Sequence, residues 1–251
     1  MALGCIALLA ATGWAYLGLM LANAPLFEAL CRPTFGAQSP GIAQAGLVLG
    51  MWCAMTLAMM LPTAAPMIVT YADLTETAAA RGEPAASSIP LMAGYVGVWL
   101  LVAVGLTALQ IVFVRLSLMD SAMATASPLF AGAIFIGVGL YQFSALKQAC
   151  VTQCQRPLPF FFANWTAEPR GVFRLGVRQG LYCLGCCWAM MVLMLALGVM
   201  NVIWMATLGV IMTIEKLNAT TRFSRALGVA FIAVGVALIA TAVAAHWPKA
   251  I

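Results

Sequence analysis

The chain has very few charged residues. Charged side chains make up 8% of its 251 residues, against roughly 25% in soluble domains. A soluble protein of this size cannot cover its surface with so few charges, and the 64% share of hydrophobic residues indicates that much of the surface faces lipid. The composition therefore excludes a soluble domain and predicts a multi-pass membrane protein.

Several function classes are excluded by motifs and residues that are missing or scarce. There is no Walker loop, no dinucleotide-binding glycine fingerprint, no HExxH and no nucleophile elbow. The single histidine, His246, disfavours a zinc finger or a histidine-based catalytic centre, and only seven acidic residues disfavour a proton-pumping carboxylate chain. The net charge of +5 forms no basic cluster, so nucleic acid is not an expected partner. These absences favour binding over catalysis.

Charge-free segments divide the chain into predicted membrane helices, because about 20 apolar residues cross the roughly 30 Å hydrocarbon core. The window 179–214 is too long for one crossing, and we expect a break at Gly198–Asn201. The predicted fold is one all-α domain over residues 1–251, a membrane bundle of about seven helices, or six if the pair at that break does not cross fully. The predicted helices lie near 2–23, 43–70, 90–113, 127–147, 176–197, 201–217 and 224–245, with a cytoplasmic loop near 148–175.

Lysine and arginine predict the orientation of this bundle. Nine of these residues fall in the loops after predicted helices two, four and six, and three fall on the other face. The positive-inside rule therefore predicts that the N-terminus lies outside.

The predicted second helix carries a methionine ladder. Met51, Met55 and Met59 recur every four residues and share one helical face, with Met60 adjacent. Thioethers are soft ligands that suit Cu(I) rather than Mg²⁺ or Ca²⁺. The same spacing is also typical of methionines that fill gaps between helices, so both interpretations stay open.

The predicted fifth helix carries a cysteine cluster. Cys183, Cys186 and Cys187 stand at i, i+3 and i+4, which places three thiols on one helical turn, and Met191 continues along the same side. Such a set can form a soft-metal site, although membrane cysteines also pack as small hydrophobic residues.

A second pair of thiols, Cys150 and Cys154, follows the predicted fourth helix. This spacing can chelate one ion or form a strained disulfide. The predicted orientation places the pair in the cytoplasm, where thiols stay reduced. We expect it to take up or release a soft ion.

Three charged residues lie at the ends of predicted helices. We expect Lys147 to extend its ammonium to the membrane surface. Glu215 and Lys216 close the sixth helix, where the favoured interpretation is an anchor at the lipid headgroups and the alternative is pairing with a buried partner.

Two features predict helix contacts. The pairs Gly46–Gly50 and Gly176–Gly180 have the small-xxx-small form, so we expect helices two and five to pack together, with Met55, Met59, Cys183 and Cys187 facing a shared interior. Pro62 frees a backbone carbonyl inside the second helix, which requires a polar partner or a cavity nearby.

Six blocks of the sequence occur in the same order in a known family: Met51-Trp52 with Ala58-Met59-Met60-Leu61-Pro62, Gly94-Tyr95 with Trp99, Gly139-Leu140-Tyr141-Gln142 with Lys147 and Cys150, Cys183 with Gly185-Cys186-Cys187-Trp188 and Met191, Gly198-Val199-Met200-Asn201, and Glu215-Lys216. On these blocks, within residues 45–217, the chain resembles bacterial proteins labelled predicted metal-binding integral membrane proteins. The resemblance implies metal binding and a place in the bacterial inner membrane. The family's motifs fall on Met55, Met59, Met60, Lys147, Cys150, Cys154, Cys183, Cys186, Cys187, Met191, Asn201, Glu215 and Lys216.

Three hypotheses follow. The first is binding or movement of a soft metal ion, with Cu(I) as the only expected cofactor. Its ligands are expected among Met55, Met59, Met60, Cys150, Cys154, Cys183, Cys186, Cys187 and Met191. The second is a non-catalytic accessory or assembly subunit packed against other helices of a larger membrane complex. The expected partners are membrane lipid and other integral membrane subunits. The third is a membrane thiol oxidoreductase.

Overall fold

The computed structural model describes residues 2–22, 42–116, 127–197, 202–218 and 220–246, and within these ranges the regular structure is entirely helical. The predicted all-α fold is therefore confirmed. The helices are α1 Ala2–Ala22, α2 Ile42–Ala80, α3 Ile89–Arg115, α4 Pro128–Tyr141, α5 Ala145–Gln155, α6 Pro157–Ala163, α7 Pro169–Leu197, α8 Val202–Leu217 and α9 Thr221–His246.

Four of these helices are long and apolar enough to cross a membrane, within Ala45–Ala80, Ile89–Phe113, Pro169–Met194 and Thr221–Ala244. The pair α4 and α5 adds a fifth crossing if it forms one span bent by 64°. Helix α8 has 16 residues and reaches only about 24 Å at 1.5 Å per residue, which is less than the hydrocarbon core. Seven or six crossings and an external N-terminus stay predictions.

The segment expected as a loop near 148–175 contains helical structure. It holds most of α5, all of α6 and the first turns of α7. The Ser144 side chain caps α5 by accepting from the backbone N–H of Lys147 at 3.1 Å, and Pro157 begins α6 at a position where its missing N–H costs nothing. The expected break at Gly198–Asn201 lies outside the described residues.

Helices α2 and α7 form the centre of the bundle. In each of them 56% of the most apolar stretch is buried, against 28% in α3 and 22% in α9. The outer helices therefore present most of their apolar surface outward, as expected of helices that face lipid. The two central helices carry the methionine ladder and the cysteine cluster.

Close approach between α3 and α7 depends on glycine. A Cβ added at Gly176 would overlap the carbonyl oxygen of Leu91, and one added at Gly94 would overlap that of Phe173. The predicted partner of Gly176–Gly180 was the second helix, and this prediction is wrong: these glycines pack against α3. A glycine pair permits close approach to any neighbouring helix, so it does not identify which one.

Helices α4 and α9 meet through glycines from both sides. A Cβ at Gly139 would lie 2.8 Å from the carbonyl oxygen of Gly228, and a Cβ at Gly132 would lie 2.8 Å from that of Gly235. In each helix the two glycines are seven residues apart and so lie on one face. The backbones touch along this face.

The carbonyl freed by Pro62 has a partner. Pro62 lacks the N–H that would bond to Ala58, and the indole Nε1 of Trp14 donates to the Ala58 carbonyl at 3.1 Å. This contact joins α1 to α2. It confirms that the proline requires a polar neighbour.

Replacing Gly139 by valine is expected to destabilise the bundle by about 1–3 kcal/mol, because the added side chain meets the rigid backbone of α9. Thermal unfolding in detergent micelles, followed by circular dichroism, measures the effect. Gly137→Val on the same helix is the control, since a Cβ there meets nothing within 4 Å. Equal midpoints for the two variants would contradict the glycine contact.

Candidate metal centre

Three thiols meet on one turn of α7. The Sγ atoms of Cys183, Cys186 and Cys187 all lie within 4.8 Å of one another, and each side chain is 2% exposed or less. The thiols of Cys186 and Cys187 donate to the Cys183 carbonyl at 3.1 and 2.8 Å. The predicted clustering is confirmed, and the helix keeps the thiols inside the bundle.

The Cys183 sulfur is surrounded by polar groups from other helices. The Lys216 ammonium donates to it at 3.0 Å, and the Tyr95 hydroxyl lies 3.1 Å from it. Lys216 also donates to the Thr63 hydroxyl at 2.7 Å. The ammonium is therefore placed where it can offset the negative charge of sulfur ligands.

One methionine of the ladder region reaches the thiols. The Met60 Sδ lies 3.9 Å from the Cys187 Sγ, so α2 contributes a thioether to a cluster carried by α7. The Met60 carbonyl accepts from the Tyr95 hydroxyl at 3.1 Å and from the Thr63 hydroxyl at 2.9 Å. These bonds fix the backbone beside the thioether.

The other predicted methionines are buried at different places. Met55, Met59 and Met191 are each 2% exposed or less and belong to the common core. The side chain of Met59 lies against Gly209 of α8, where an added Cβ would be 3.5 Å from its Cε. The methionine face of α2 is therefore turned inward rather than toward lipid.

Cys150 and Cys154 are both free thiols, and they approach α7 at different points. The Cys154 side chain lies within hydrogen-bonding reach of Cys186 and is partly exposed. The Cys150 Sγ packs against Gly185, where an added Cβ would lie 2.5 Å away. Cys154 thus borders the cluster directly.

A buried ion pair contacts the backbone of the cysteine turn. The Lys147 ammonium donates to Glu215 Oε2 and to the Cys186 carbonyl, each at 2.7 Å. The Ser224 hydroxyl donates to the other carboxylate oxygen at 2.6 Å. Two expectations are therefore wrong: Lys147 is fully buried rather than extended to the surface, and Glu215 is 3% exposed rather than a headgroup anchor.

Lys147 and Glu215 are buried because of the bend between α4 and α5. The chain turns at residues 142–144, so α5 carries Lys147 into the bundle toward the end of α8. A buried charge must be paired, and Glu215 supplies the pair. Asn201, which the resemblance also indicated, lies outside the described residues.

Four residues around the cluster were not predicted as site residues: Thr63, Tyr95, Gln179 and Ser224. Tyr95 was noted only within the Gly94-Tyr95 block, and a phenol inside a membrane helix is a signal that it needs a partner. The other three are common residue types with no distinctive spacing. Nothing in the sequence marks them.

The arrangement suits a soft metal ion. With metal–sulfur bonds of about 2.3 Å, sulfur ligands on one ion lie roughly 3.8–4.6 Å apart. The Met60–Cys187 separation of 3.9 Å lies in that range, and the three thiols, all within 4.8 Å of one another, are close enough to share one ion. Thiolates and a thioether are soft ligands, and no carboxylate or imidazole belongs to this group among the described residues.

A comparison with models of protein families places most of the chain in a family. The model of a family described as PpoB2, copper chaperone, matches residues 49–238, which include the three thiols, Met60 and Lys216. The searches of curated proteins and of solved structures give no match.

Replacing Lys147 by methionine is expected to lower the free energy of unfolding by about 3–5 kcal/mol, because it leaves the Glu215 carboxylate buried without its cation. Chemical denaturation in detergent micelles measures the change. The double variant Lys147→Met/Glu215→Gln is expected to recover part of the loss. Arg222→Met, at an exposed cation, is the control, and a loss no larger than this control's would contradict the buried pair.

Proposed function

Because the chain belongs to the PpoB2 copper chaperone family, we propose that it is an integral membrane protein that holds Cu(I) on the thiols of Cys183, Cys186 and Cys187 and passes it on. The observation that carries the proposal is the convergence of three buried thiols on one helical turn. The description of the family indicates copper as the metal, and thiolates are ligands that suit Cu(I).

The proposed ligand set combines α7 and α2. The three thiols bind as thiolates, and Met60 supplies a thioether 3.9 Å from Cys187. Each coordinating thiol loses its proton, including those that donate to the Cys183 carbonyl. Copper is the cargo in this scheme, so the ligands must exchange it with another set of soft ligands.

Charge balance favours the same position. One Cu(I) bound by several thiolates carries a net negative charge, which is costly in a low-dielectric interior. The Lys216 ammonium, 3.0 Å from the Cys183 sulfur, offsets part of that charge. Lys147 is already neutralised by Glu215. Lys216 is therefore the cation that serves the metal site.

Cys154 is the proposed exchange ligand. It is partly exposed, and its side chain reaches Cys186. Cys150 packs against Gly185 instead, so we assign the uptake or release role to Cys154 rather than to the pair.

The proposed location is the bacterial inner membrane, with the N-terminus outside. Large apolar side chains point outward, among them Leu101 on α3 and Ile203 on α8, which are 74% and 77% exposed. Lipid is the proposed partner of these faces. Other integral membrane subunits remain a predicted partner class.

The triple variant Cys183→Ser/Cys186→Ser/Cys187→Ser is expected to abolish copper retention, because hydroxyls are poor ligands for Cu(I). The measurement is elemental analysis of protein loaded anaerobically with Cu(I) in detergent and desalted. Cys53→Ser, at a free cysteine of α2 that does not belong to the group of three thiols, is the control and should retain copper. Copper-free wild-type protein after the same loading would refute the proposal.

Replacing Met60 by leucine is expected to weaken Cu(I) binding about tenfold, because the thioether beside Cys187 is lost while the volume is kept. Competition with a chromogenic Cu(I) chelator measures the affinity. Met59→Leu is the matched control, since the Met59 side chain packs against Gly209 of α8. Equal affinities for the two variants would remove Met60 from the ligand set.

A further inference from the structure

The short aromatic helix α6 is buried on one side and exposed on the other. Phe160 and Phe161 are buried, and the Phe161 ring contacts the Tyr71 ring of α2 at a centroid distance of 5.2 Å. Leu158 and Phe162, which are one helical turn apart, lie on the opposite side and are 48% and 68% exposed. Helix α6 is therefore packed against the bundle while it presents an apolar face outward.

A row of arginines on α7 lies beside α6. Arg170, Arg174 and Arg178 are exposed and recur every four residues, which places them on one face of the helix. The Arg178 guanidinium lies 5.3 Å from the centre of the Phe160 ring and donates to the side-chain oxygen of Asn164 at 2.8 Å. The arginine face of α7 therefore adjoins the aromatic helix.

The positive charge of this segment is not neutralised within the part of the chain that the structure describes. Residues 156–178 contain four arginines and one glutamate, which gives a net charge of +3. Among the described residues the only ion pair joins Lys147 to Glu215, so the guanidinium groups of Arg170 and Arg174 have no carboxylate partner there. Both groups are therefore available to an external anion.

The length of α7 indicates the depth of these arginines in the membrane. Its 29 residues span about 44 Å at 1.5 Å per residue, which is roughly 14 Å more than the hydrocarbon core. This excess equals about nine residues, and all three charged residues of α7 lie within its first ten. Because charges avoid the hydrocarbon core, the first turns of α7 extend into the headgroup region of the proposed membrane location. Helix α6 lies at the same depth, since Arg178 contacts it.

We propose that α6 and the first turns of α7 form an interfacial anchor that binds an anionic phospholipid. Arg170 and Arg174 hold the phosphate, because a guanidinium forms two parallel hydrogen bonds to phosphate oxygens. Leu158 and Phe162 pack against the upper part of the acyl chains, where exposed apolar side chains are removed from water. A zwitterionic lipid binds less tightly because it carries its own cation beside the phosphate. Binding requires the proposed membrane location and none of the copper ligands.

The predicted orientation of the chain agrees with this partner. It places the anchor on the cytoplasmic side, where anionic lipids give the membrane surface a negative potential. That potential attracts the net positive charge of residues 156–178. The apolar face of α6 then distinguishes a lipid from a soluble anion, since only the lipid offers acyl chains to Leu158 and Phe162.

The first test measures the preference between two lipids. Native mass spectrometry of protein from micelles with equal amounts of phosphatidylglycerol and phosphatidylcholine is expected to show that phosphatidylglycerol is retained preferentially. We expect Arg170→Gln/Arg174→Gln to lower this preference about 25-fold, since each arginine near an anionic surface contributes about fivefold. The control Arg222→Gln/Arg225→Gln removes the same charge from exposed positions of α9 and should keep the preference. Equal retention of both lipids by the wild type, or an equal loss in the two variants, would overturn the proposal.

The second test distinguishes a lipid from a soluble phosphate. Phe162→Ser is expected to weaken retention of both lipids about fivefold and to leave the preference unchanged, because it removes only the apolar contact. Ile89→Ser, at an exposed apolar residue that begins α3, is the control and should retain lipid like the wild type. Glycerol phosphate has the anionic group without acyl chains, and its displacement of phosphatidylglycerol at equal concentration would refute a lipid as the occupant. Neither measurement uses copper, so the outcome is separate from that of the copper-retention test.

Discussion

The ion pair between Lys147 and Glu215 fixes the geometry on which the thiol cluster depends. Both charges are buried, and the lysine also donates to the carbonyl of Cys186 at 2.7 Å. Because Ser224 completes the carboxylate, the pair joins α5, α7, α8 and α9 at one point. Separating these helices exposes a charge to an apolar interior, so the helices around the thiols hold one arrangement.

Two adjacent charged residues of α8 have different partners and different roles. Glu215 pairs with Lys147, which also donates to the Cys186 carbonyl. Lys216 donates instead to the Cys183 sulfur and to the Thr63 hydroxyl. The end of one short helix thus supplies both a structural charge and a charge available to a ligand.

The sequence predicts features that depend on neighbouring residues. Charge-free windows locate the main helices, and the spacing of Cys183, Cys186 and Cys187 brings the thiols together on one turn because helical geometry is local. The partner of Lys147 is 68 residues away, and the bend before α5 decides whether the lysine meets water or Glu215. The sequence also does not predict which helix packs against Gly176, since a glycine allows close approach without selecting a neighbour.

The 68-residue separation of the ion pair has a consequence for biosynthesis. At about 5–20 residues per second, the lysine leaves the ribosome roughly 3–14 s before its carboxylate. An unpaired ammonium is costly in hydrocarbon, so in the proposed membrane location we expect α5 to stay near the aqueous boundary until α8 has been translated. The 64° bend before α5 lets this 11-residue helix take a direction different from that of α4. The cysteine turn therefore acquires its final surroundings only after α8 has been translated.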